Sequence, residues 1–400
     1  MSTAMRLSER AKTLLAIGFV ALILMLLAAS AELAVRIRQS IKYGYAGSLD
    51  QVYEVDAKTG LRVPKAGAVF GPIRINSLGF RGPELEVPKP RGTVRIAFLG
   101  ASTTFCAEAT SNDAVWPHLV VEALRRRLAE TRFDYVNGGV PGYTVESSTK
   151  NLELRVAPLQ PDVIVIYHAT NDLSGELRRI AAQRFEGATI APPETSWLAR
   201  HSLLWNLVSK NMRLLLARSS AESGARSPTR IGAEALGASF RSELTHLVRA
   251  AKAVGATVAL VTFSTQLRAA QDDEARRQAM QSAILYMPGY SSDQLLAAYR
   301  RYNEIIREVA SSEQILLVGG GGRDPGRPST FQRHGALHRR RKQGPGKARG
   351  RSTCRIAGST VTREGALSPW GVSLARSQSR ASVDTVSSMA VCQLTGAENV

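Results

Sequence analysis

A serine directly after a buried apolar strand is the first feature of this sequence that could do chemistry. Val94 to Leu99 forms a compact apolar run that ends at Gly100, and Ser102 follows before a predicted helix. A hydroxyl in that position is presented at the edge of a sheet, and the backbone N–H groups around it can stabilise an oxyanion. A serine at a strand end is more often only a helix N-cap, so the neighbouring loops decide its meaning.

Two further strand ends bring possible hydrogen-bond donors to the same edge of the sheet. Residues 137–144 (NGGVPGYT) follow the second strand, and their glycines, including Gly142, let backbone amides approach a ligand closely. Residues 168–172 (HATND) follow the third strand and place the side-chain amide of Asn171 beside the same crevice. Each cluster alone is typical of a turn. One serine with two oxyanion donors, however, is what acyl transfer through a tetrahedral intermediate requires.

The elements that position these residues alternate between strands and helices from residue 91 onward. The pattern predicts strands at 94–99, 133–136, 163–167, 257–263 and 315–318, and helices at 116–131, 145–156, 233–254 and 291–310. This alternation predicts an α/β domain over 91–318 with a doubly wound parallel sheet, whose ligands bind at the carboxyl ends of the strands. Residues 174–230 are too long for a simple connection, so we expect an insertion with one or two helices, the best candidate being 197–218.

An apolar segment near the N-terminus indicates a membrane location. Residues 13–31 contain no charged side chain, and a helix of that length rises about 28 Å, close to the hydrocarbon thickness of a bilayer. We expect an uncleaved anchor after a short tail at 1–12, while Ala29-Ser30-Ala31 also fits the cleavage site of a signal peptide. Basic residues on the two sides nearly balance. The short tail favours placing the bulk of the chain, beginning with a juxtamembrane segment at 32–90, outside the cytoplasm (periplasmic or extracellular).

The composition of the 400 residues is that of a folded protein with a basic excess at one end. Hydrophobic residues make up 44%, which excludes wholesale disorder, and three cysteines exclude a disulfide-built scaffold. Residues 319–400 carry ten of the 19 net positive charges. Such an excess suggests nucleic acid or an anionic membrane surface, but no aromatic-plus-basic module of a nucleic-acid-binding fold accompanies it. No phosphate loop, dinucleotide fingerprint or metal-ligand spacing indicates a cofactor or a metal.

The serine block resembles the first signature of the SGNH (GDSL-type) hydrolase family. Residues 96–102 read IAFLGAS, with Ala101 where the name-giving motif has Asp, and Ser102 matches the nucleophile. Many membrane-anchored relatives have G-x-S-T-T at this point. Residues 75–84 (INSLGFRGPE) are similar to the segment that precedes the catalytic domain in those relatives, so the resemblance spans roughly residues 75–318.

The two later blocks are similar to the family's oxyanion signatures. Residues 137–142 match N-x-G-x-x-G, and residues 169–172 match G-x-N-D with alanine in place of the first glycine. The resemblance implies an oxyanion hole built from the amides of Ser102 and Gly142 and the side chain of Asn171. It also implies a three-layer α/β/α, flavodoxin-like fold with a central parallel sheet of about five strands, here preceded by one transmembrane helix.

The family's fourth signature, D-x-x-H near the C-terminus, does not occur in this chain. It supplies the base histidine and the aspartate that orients it, and without a base a serine hydroxyl is a poor nucleophile at neutral pH. His168 lies beside the site but ends a strand, where a histidine is more often structural. His334 and His338 stand in an Arg-rich and Gly-rich stretch without strand or helix pattern. We expect Cys106 to be a small packed residue in the turn after Ser102.

The composition of the tail at 319–400 indicates a reading-frame error. Apolar periodicity ends at the four glycines 319–322, and the sequence beyond is typical either of a disordered tail or of a shifted frame. A shift of one nucleotide in the codons for residues 331–344 permits F-S-D-T-V-H-F-T-D-A-G-S-K, which contains the missing D-x-x-H at the right distance after the last strand. We therefore expect an intact protein that ends sooner, and a chain that is inactive or nearly so as written.

Three functions stay open from the sequence. The first is a serine ester hydrolase anchored to the cell membrane, which acts on a small-molecule or glycan ester such as an O-acetyl group. The second, an O-acetyltransferase for a cell-surface glycan, uses the same residues and differs in its acceptor. The third is a non-catalytic, membrane-tethered binding protein that keeps the fold without the base. Specific nucleic-acid binding is not expected.

Overall fold

The structure is a computed structural model that describes residues 9–43, 47, 49–184, 198, 201–222, 232–287 and 290–319. The predictions made for the tail beyond Gly319, for the first eight residues and for much of the insertion therefore lie outside the described residues.

Helices and strands alternate along the described chain, as the sequence pattern predicts. The helices are α1 (Glu9–Tyr43), α2 (Ser102–Phe105), α3 (Trp116–Arg127), α4 (Val145–Asn151), α5 (Thr170–Arg184), α6 (Leu203–Glu222), α7 (Ala238–Ala253), α8 (Asp273–Tyr286) and α9 (Ser292–Ser312). The strands are β1 (Tyr53–Val55), β2 (Arg62–Pro64), β3 (Val69–Phe70), β4 (Ile73–Arg74), β5 (Thr93–Gly100), β6 (Arg132–Asn137), β7 (Val163–Tyr167), β8 (Thr257–Val261) and β9 (Leu316–Val318).

A five-stranded parallel sheet forms the centre of the molecule, with strand order β6-β5-β7-β8-β9. Counted from β5 as the first strand, this order is 2-1-3-4-5, the flavodoxin-like arrangement. The predicted α/β fold with about five parallel strands and flanking helices is confirmed. In this arrangement the strand order reverses between β5 and β7, and the crevice outside their carboxyl ends is where such folds bind ligands.

The central strands are apolar on both faces because both faces are covered. All five residues of β7 (VIVIY) are buried, and so are seven of the eight residues of β5. Continuous apolar runs of this kind are typical of parallel strands inside an α/β domain. On the helical side, α9 presents buried residues at helical spacing, and it begins with a capping box in which the Ser291 side chain and Gln294 exchange hydrogen bonds with each other's backbone.

The chain before the sheet folds onto it as two small antiparallel pairs, β1 with β2 and β3 with β4. Their apolar side chains form a second, smaller core with residues from the loops that follow β5 and β6. Its buried members are Val52, Tyr53, Ile73, Ile75, Phe105, Val140 and Tyr143. The sequence shows only turn signals in this region, because strands of two or three residues carry no readable alternation.

The first helix, α1, is the one described helix that is long and apolar enough to cross a membrane, over Lys12–Ile41. Side chains 12–30 are exposed throughout, whereas from Ala31 onward one side of the helix is half-buried against the rest of the chain. The helix is compatible with a single-pass anchor.

Two helices differ from the sequence-based expectations. α8 is not predicted, although Asp272 marks its start by accepting a hydrogen bond from the Ala275 amide at 2.7 Å. α5 begins at Thr170, within the block that the sequence pattern suggests as a turn, and runs into the region assigned to the insertion. Only the later helix of that region, α6, corresponds to the predicted 197–218 segment.

Candidate active site

Ser102 is the first residue of α2, directly after β5 and Ala101, and its side chain is exposed. The turn between strand and helix is tight, because a Cβ on Gly100 would lie 2.9 Å from the carbonyl oxygen of Tyr167 on the neighbouring strand. Within α2, the amides of Phe105 and Cys106 bond to earlier carbonyls. The Ser102 amide belongs to the first turn, where helix amides lack an intrahelical acceptor and can bind an anionic oxygen.

The loop after β6 packs directly against the backbone of α2. The side chain of buried Asn137 donates to the Thr104 carbonyl at 3.1 Å and accepts from the Gly139 amide at 3.1 Å. A Cβ on Gly139 would lie 2.7 Å from the Phe105 nitrogen, so only glycine allows this approach. The N-x-G part of the block therefore positions the loop on the serine turn.

Gly142 stands at the exposed end of the same loop. Its φ of +91° is in the left-handed region that favours glycine, and no atom lies within 4 Å of the position that a Cβ would take. The side of Gly142 that a Cβ would occupy is therefore not covered by other described residues.

The block after β7 holds this loop from the other side. Asn171, the second residue of α5, donates from Nδ2 to the Tyr143 carbonyl at 2.8 Å. Its neighbour Asp172 accepts from the Val145 amide, the first amide of α4, at 2.9 Å. The structure thus brings Asn171 into contact with the residue after Gly142.

His168 lies in a buried polar cluster behind the site. Its Nε2 is 2.7 Å from Ser148 Oγ, and its Nδ1 is 3.8 Å from Asp172 Oδ2. Burial lowers the pKa of His168 to about 3 and raises the pKa of Asp172 to about 7. The histidine is therefore neutral at neutral pH and serves as a hydrogen-bonded structural residue, as its place at a strand end indicates.

Cys106 ends α2 as a packed thiol. It adopts a left-handed conformation with φ of +55°, and its Sγ donates to the Thr103 carbonyl at 3.0 Å. Burial raises the pKa of the Cys106 thiol to about 11, which disfavours the nucleophilic thiolate.

Arg81 is a residue of the site region to which the sequence assigns no role. Its side chain is fully buried, and its Nη1 donates to the carbonyls of Phe105 at 3.0 Å and Cys106 at 2.5 Å. Nη2 donates to the Ser111 carbonyl and Nε to Asn112 Oδ1. In the sequence, only the position of Arg81 inside the 75–84 segment points to a role for it. Contacts to backbone carbonyls cannot be predicted from the types of the contacted residues.

A second arginine ties the same early segment to the loop after β6. Arg155 donates to the carbonyls of Leu78 at 3.3 Å and Gly79 at 3.1 Å, and to Asn151 Oδ1 at 3.1 Å. Asn151 in turn donates to the Gly138 carbonyl at 3.1 Å. Together with Arg81, this chain of contacts makes the early segment a support for both loops of the site.

Within the described part of the chain, no hydrogen bond joins the Ser102 side chain to a histidine or a carboxylate. Ser102 Oγ forms no side-chain hydrogen bond there, while His334 and His338 lie outside the described residues. His118 lies 3.8 Å from Asp113, and His246 is exposed on α7. Among the described residues there is also no group of three or more His, Cys, Asp or Glu side chains that could hold a metal ion.

The five-stranded parallel sheet with flanking helices is the α/β fold of the SGNH type, and the serine turn and the loops after β6 and β7 lie where its strand order reverses. Residues 98–338 match the model of the GDSL-like lipase/acylhydrolase family, which is more than half of the chain. The chain belongs to this SGNH/GDSL family of ester hydrolases.

Two bacterial hydrolases are among the solved structures to which this chain is similar. An acetyl xylan esterase from Geobacillus stearothermophilus is 17% identical and aligns over 56% of this chain and 75% of its own, with a TM-score of 0.32. A lipase/acylhydrolase from Enterococcus faecalis is 18% identical over the same shares, with a TM-score of 0.29. No curated protein sequence gives a significant match.

Proposed function

We propose that this chain is built as a serine ester hydrolase with Ser102 as its nucleophile. The observation that carries the proposal is the convergence of three loops at the carboxyl ends of β5, β6 and β7. There Ser102 opens a helix, Gly142 faces open space, and Asn171 contacts the Gly142 loop. An exposed hydroxyl beside preorganised amide donors is the arrangement that acyl transfer needs.

The proposed reaction has two steps. Ser102 Oγ attacks the ester carbonyl carbon, and the carbonyl oxygen becomes an oxyanion held by the amides of Ser102 and Gly142 and by Asn171 Nδ2. The tetrahedral intermediate expels the alcohol, which takes up a proton, and leaves an acyl-serine. Water then attacks the acyl-serine, so that the carboxylic acid leaves and Ser102 regains its proton.

Both steps need a base, and we propose that the intact reading frame supplies it after β9. Two observations support this placement. The family match runs to residue 338, so the family's domain continues beyond the end of β9 at Val318, where a base could be placed. In the described residues, His168 is committed to Ser148 and is not available to Ser102. The chain as written would then retain the oxyanion hole and lack turnover.

The test compares two versions of the full chain, one as written and one with a single-nucleotide correction before residue 331. We expect the corrected chain to hydrolyse short aryl esters and the chain as written to be at least a hundredfold slower, since a general base contributes about 10²–10⁴. Ser102→Ala in the corrected chain should abolish turnover, while Ser242→Ala, an exposed serine on α7, should not. Equal rates from the two versions, or full activity of Ser102→Ala, would overturn the proposal.

We further propose that α1 anchors the hydrolase at the membrane with the catalytic domain outside the cytoplasm. On this proposal, residues 1–12 form a tail, 13–31 the span, 32–90 the segment that packs onto the domain at 91–318, and 319–400 an aberrant tail. The exposed side chains over residues 12–30 of α1 support it. Carbonate extraction and protease accessibility of intact cells test it, and release of the full chain by carbonate would contradict it.

A further inference from the structure

The insertion helix α6 exposes a stripe of apolar side chains. Trp205, Val208, Met212 and Leu215 follow one another at intervals of three, four and three residues, which places them on one face of the helix. Their exposed fractions lie between 46% and 59%. Single exposed apolar residues are ordinary, but a continuous apolar stripe over three turns marks a surface that is covered by something else.

The start of α6 is bound to α1 at the end of its charge-free segment. Glu32, the first charged residue after 13–31, accepts from the Ser202 hydroxyl at 2.8 Å and from the amides of Leu203 at 3.1 Å and Leu204 at 2.9 Å. Arg36, one turn further along α1, donates to the His201 carbonyl at 3.0 Å. A carboxylate on the first amides of a helix is a favourable cap, so this contact fixes the position of α6 relative to α1.

The burial pattern of α1 shows where lipid would end. Before Ala31 the helix is exposed on every side, and after it the side carrying Glu32, Val35, Arg36 and Gln39 is half-buried against the protein. A helical segment without charges fits the hydrocarbon core of a bilayer. The first charged residue after it, here Glu32, is then placed at the level of the lipid headgroups. Because Glu32 holds the N-terminus of α6, that helix starts at the same level.

Lys210 lies away from the apolar stripe of α6, and Leu207, which is 42% exposed, lies outside the stripe about 60° from Lys210. Lys210 is exposed and lies about 160° around the helix from Met212, since each residue advances about 100°. A tryptophan on the apolar face and a lysine on the opposite face are typical of helices that lie in the interface plane.

We propose that α6 lies on the bilayer surface next to the anchor, with Trp205, Val208, Met212 and Leu215 immersed at the boundary of headgroups and acyl chains. The inference rests on α1 being an anchor and is independent of the chemistry of Ser102. α6 would give the domain a second contact with the membrane, so that the domain keeps one orientation instead of rotating about α1.

The test measures the depth of single spin labels in the full chain, reconstituted in vesicles of phosphatidylcholine and phosphatidylglycerol. Cys106→Ala, Cys354→Ser and Cys392→Ser provide a background free of native thiols, checked by an unchanged thermal midpoint. Labels are attached at Met212→Cys on the stripe, at Lys210→Cys on the opposite face as the matched control, and at Leu24→Cys inside α1. Collision rates with oxygen, which concentrates in lipid, and with a water-soluble nickel chelate are compared at each position.

We expect the collision rate with oxygen to exceed that with the nickel chelate several-fold at positions 212 and 24. At position 210 the rate with the nickel chelate should be the higher one. Nickel dominance at both 212 and 210, with oxygen dominance at 24, would overturn the proposal for α6 and leave the anchor intact. Low collision rates with both reagents at 212, together with dipolar broadening between labels, would mean that a second copy of the chain covers the stripe, which also overturns it. Nickel dominance at position 24 would overturn the anchor itself.

Discussion

Arg81 is a buried cation that, among the described residues, is held by backbone carbonyls and by Asn112 and by no carboxylate. The carbonyls of Phe105 and Cys106 belong to the end of α2, where helix carbonyls lack intrahelical donors and a positive charge is favourable. Burial lowers the pKa of Arg81, but the ordinary value is so high that the side chain stays charged. By fixing the end of this four-residue helix, Arg81 fixes Ser102 at its start.

We expect Arg81→Met to lower the free energy of unfolding by about 3 kcal/mol, because it leaves buried carbonyls without donors. In the frame-corrected chain it should lower kcat more than it raises KM, since Arg81 acts on the position of Ser102, the proposed nucleophile. Arg74→Met, an exposed arginine of the same segment, is the matched control. Denaturant unfolding of the two variants decides the matter, and equal midpoints would show that the Arg81 contacts contribute nothing.

The buried pair of His168 and Asp172 has opposing effects on stability as the pH changes. The pKa of His168, about 3, lies below its unfolded value of about 6.5, so its contribution is present above pH 6.5 and is lost as the pH falls toward 3. The pKa of Asp172, about 7, lies above its unfolded value of about 3.9, so its contribution is present below pH 4 and is lost as the pH rises through 7. Between about pH 4 and 6.5 the two dependences cancel.

Asp172→Asn removes the pH dependence that comes from Asp172 while keeping an acceptor for the Val145 amide. The free energy of unfolding of the variant minus that of the unmodified protein should increase with pH between about pH 4 and 6.5. The expected slope corresponds to about one proton, or ~1.4 kcal/mol per pH unit. His168→Gln should give the opposite slope. Thermal midpoints across this range provide the measurement, and parallel curves for all three proteins would refute the coupling.

At the scale of elements, replacing two glycines by alanine should change the free energy of unfolding in opposite directions. Gly175 lies inside α5 with no atom within 4 Å of a would-be Cβ, so Gly175→Ala should raise the free energy of unfolding by about 0.5–1 kcal/mol. Gly139→Ala should lower it and displace α2, because the new Cβ meets the Phe105 nitrogen. Differential scanning calorimetry of the two variants is sufficient, and a lowered midpoint for Gly175→Ala would contradict this account.

The sequence predicts best those elements whose run of apolar residues coincides with the buried residues of the element. β7 begins and ends where its apolar run does, and β5 extends the predicted strand by one residue at each end. β1 to β4 and the contacts of Arg81 could not be predicted, because short strand pairs and side-chain bonds to distant carbonyls depend on the completed fold. For the site, the order of three strand ends indicates Ser102, Gly142 and Asn171 as candidates, and their catalytic roles stay a prediction.

For the whole molecule, the early segment belongs to the folding unit of the sheet. A protein shortened to begin at residue 91 would lose Arg81 and four of the seven buried members of the second core, whereas one that begins at residue 49 keeps all of them. We expect the shorter version to be insoluble or to unfold at a clearly lower temperature, and the longer one to fold without α1. Circular dichroism melting of both, expressed in the corrected frame, would show it. Equal melting temperatures would mean that residues 49–90 are dispensable.

The two outer strands of the sheet differ in how they resist pairing with another molecule. β6 begins with the exposed Arg132, whose charge discourages the addition of a foreign strand, while Asp134 within it is ion-paired with the buried Arg95 of β5. β9 pairs only with β8 within the described chain, and its Leu317 is 38% exposed with no charge in the strand. Self-association should therefore begin at β9, and Leu317→Lys should raise the protein concentration at which light scattering appears, whereas Arg132→Leu, at an exposed position, should lower it from the opposite edge.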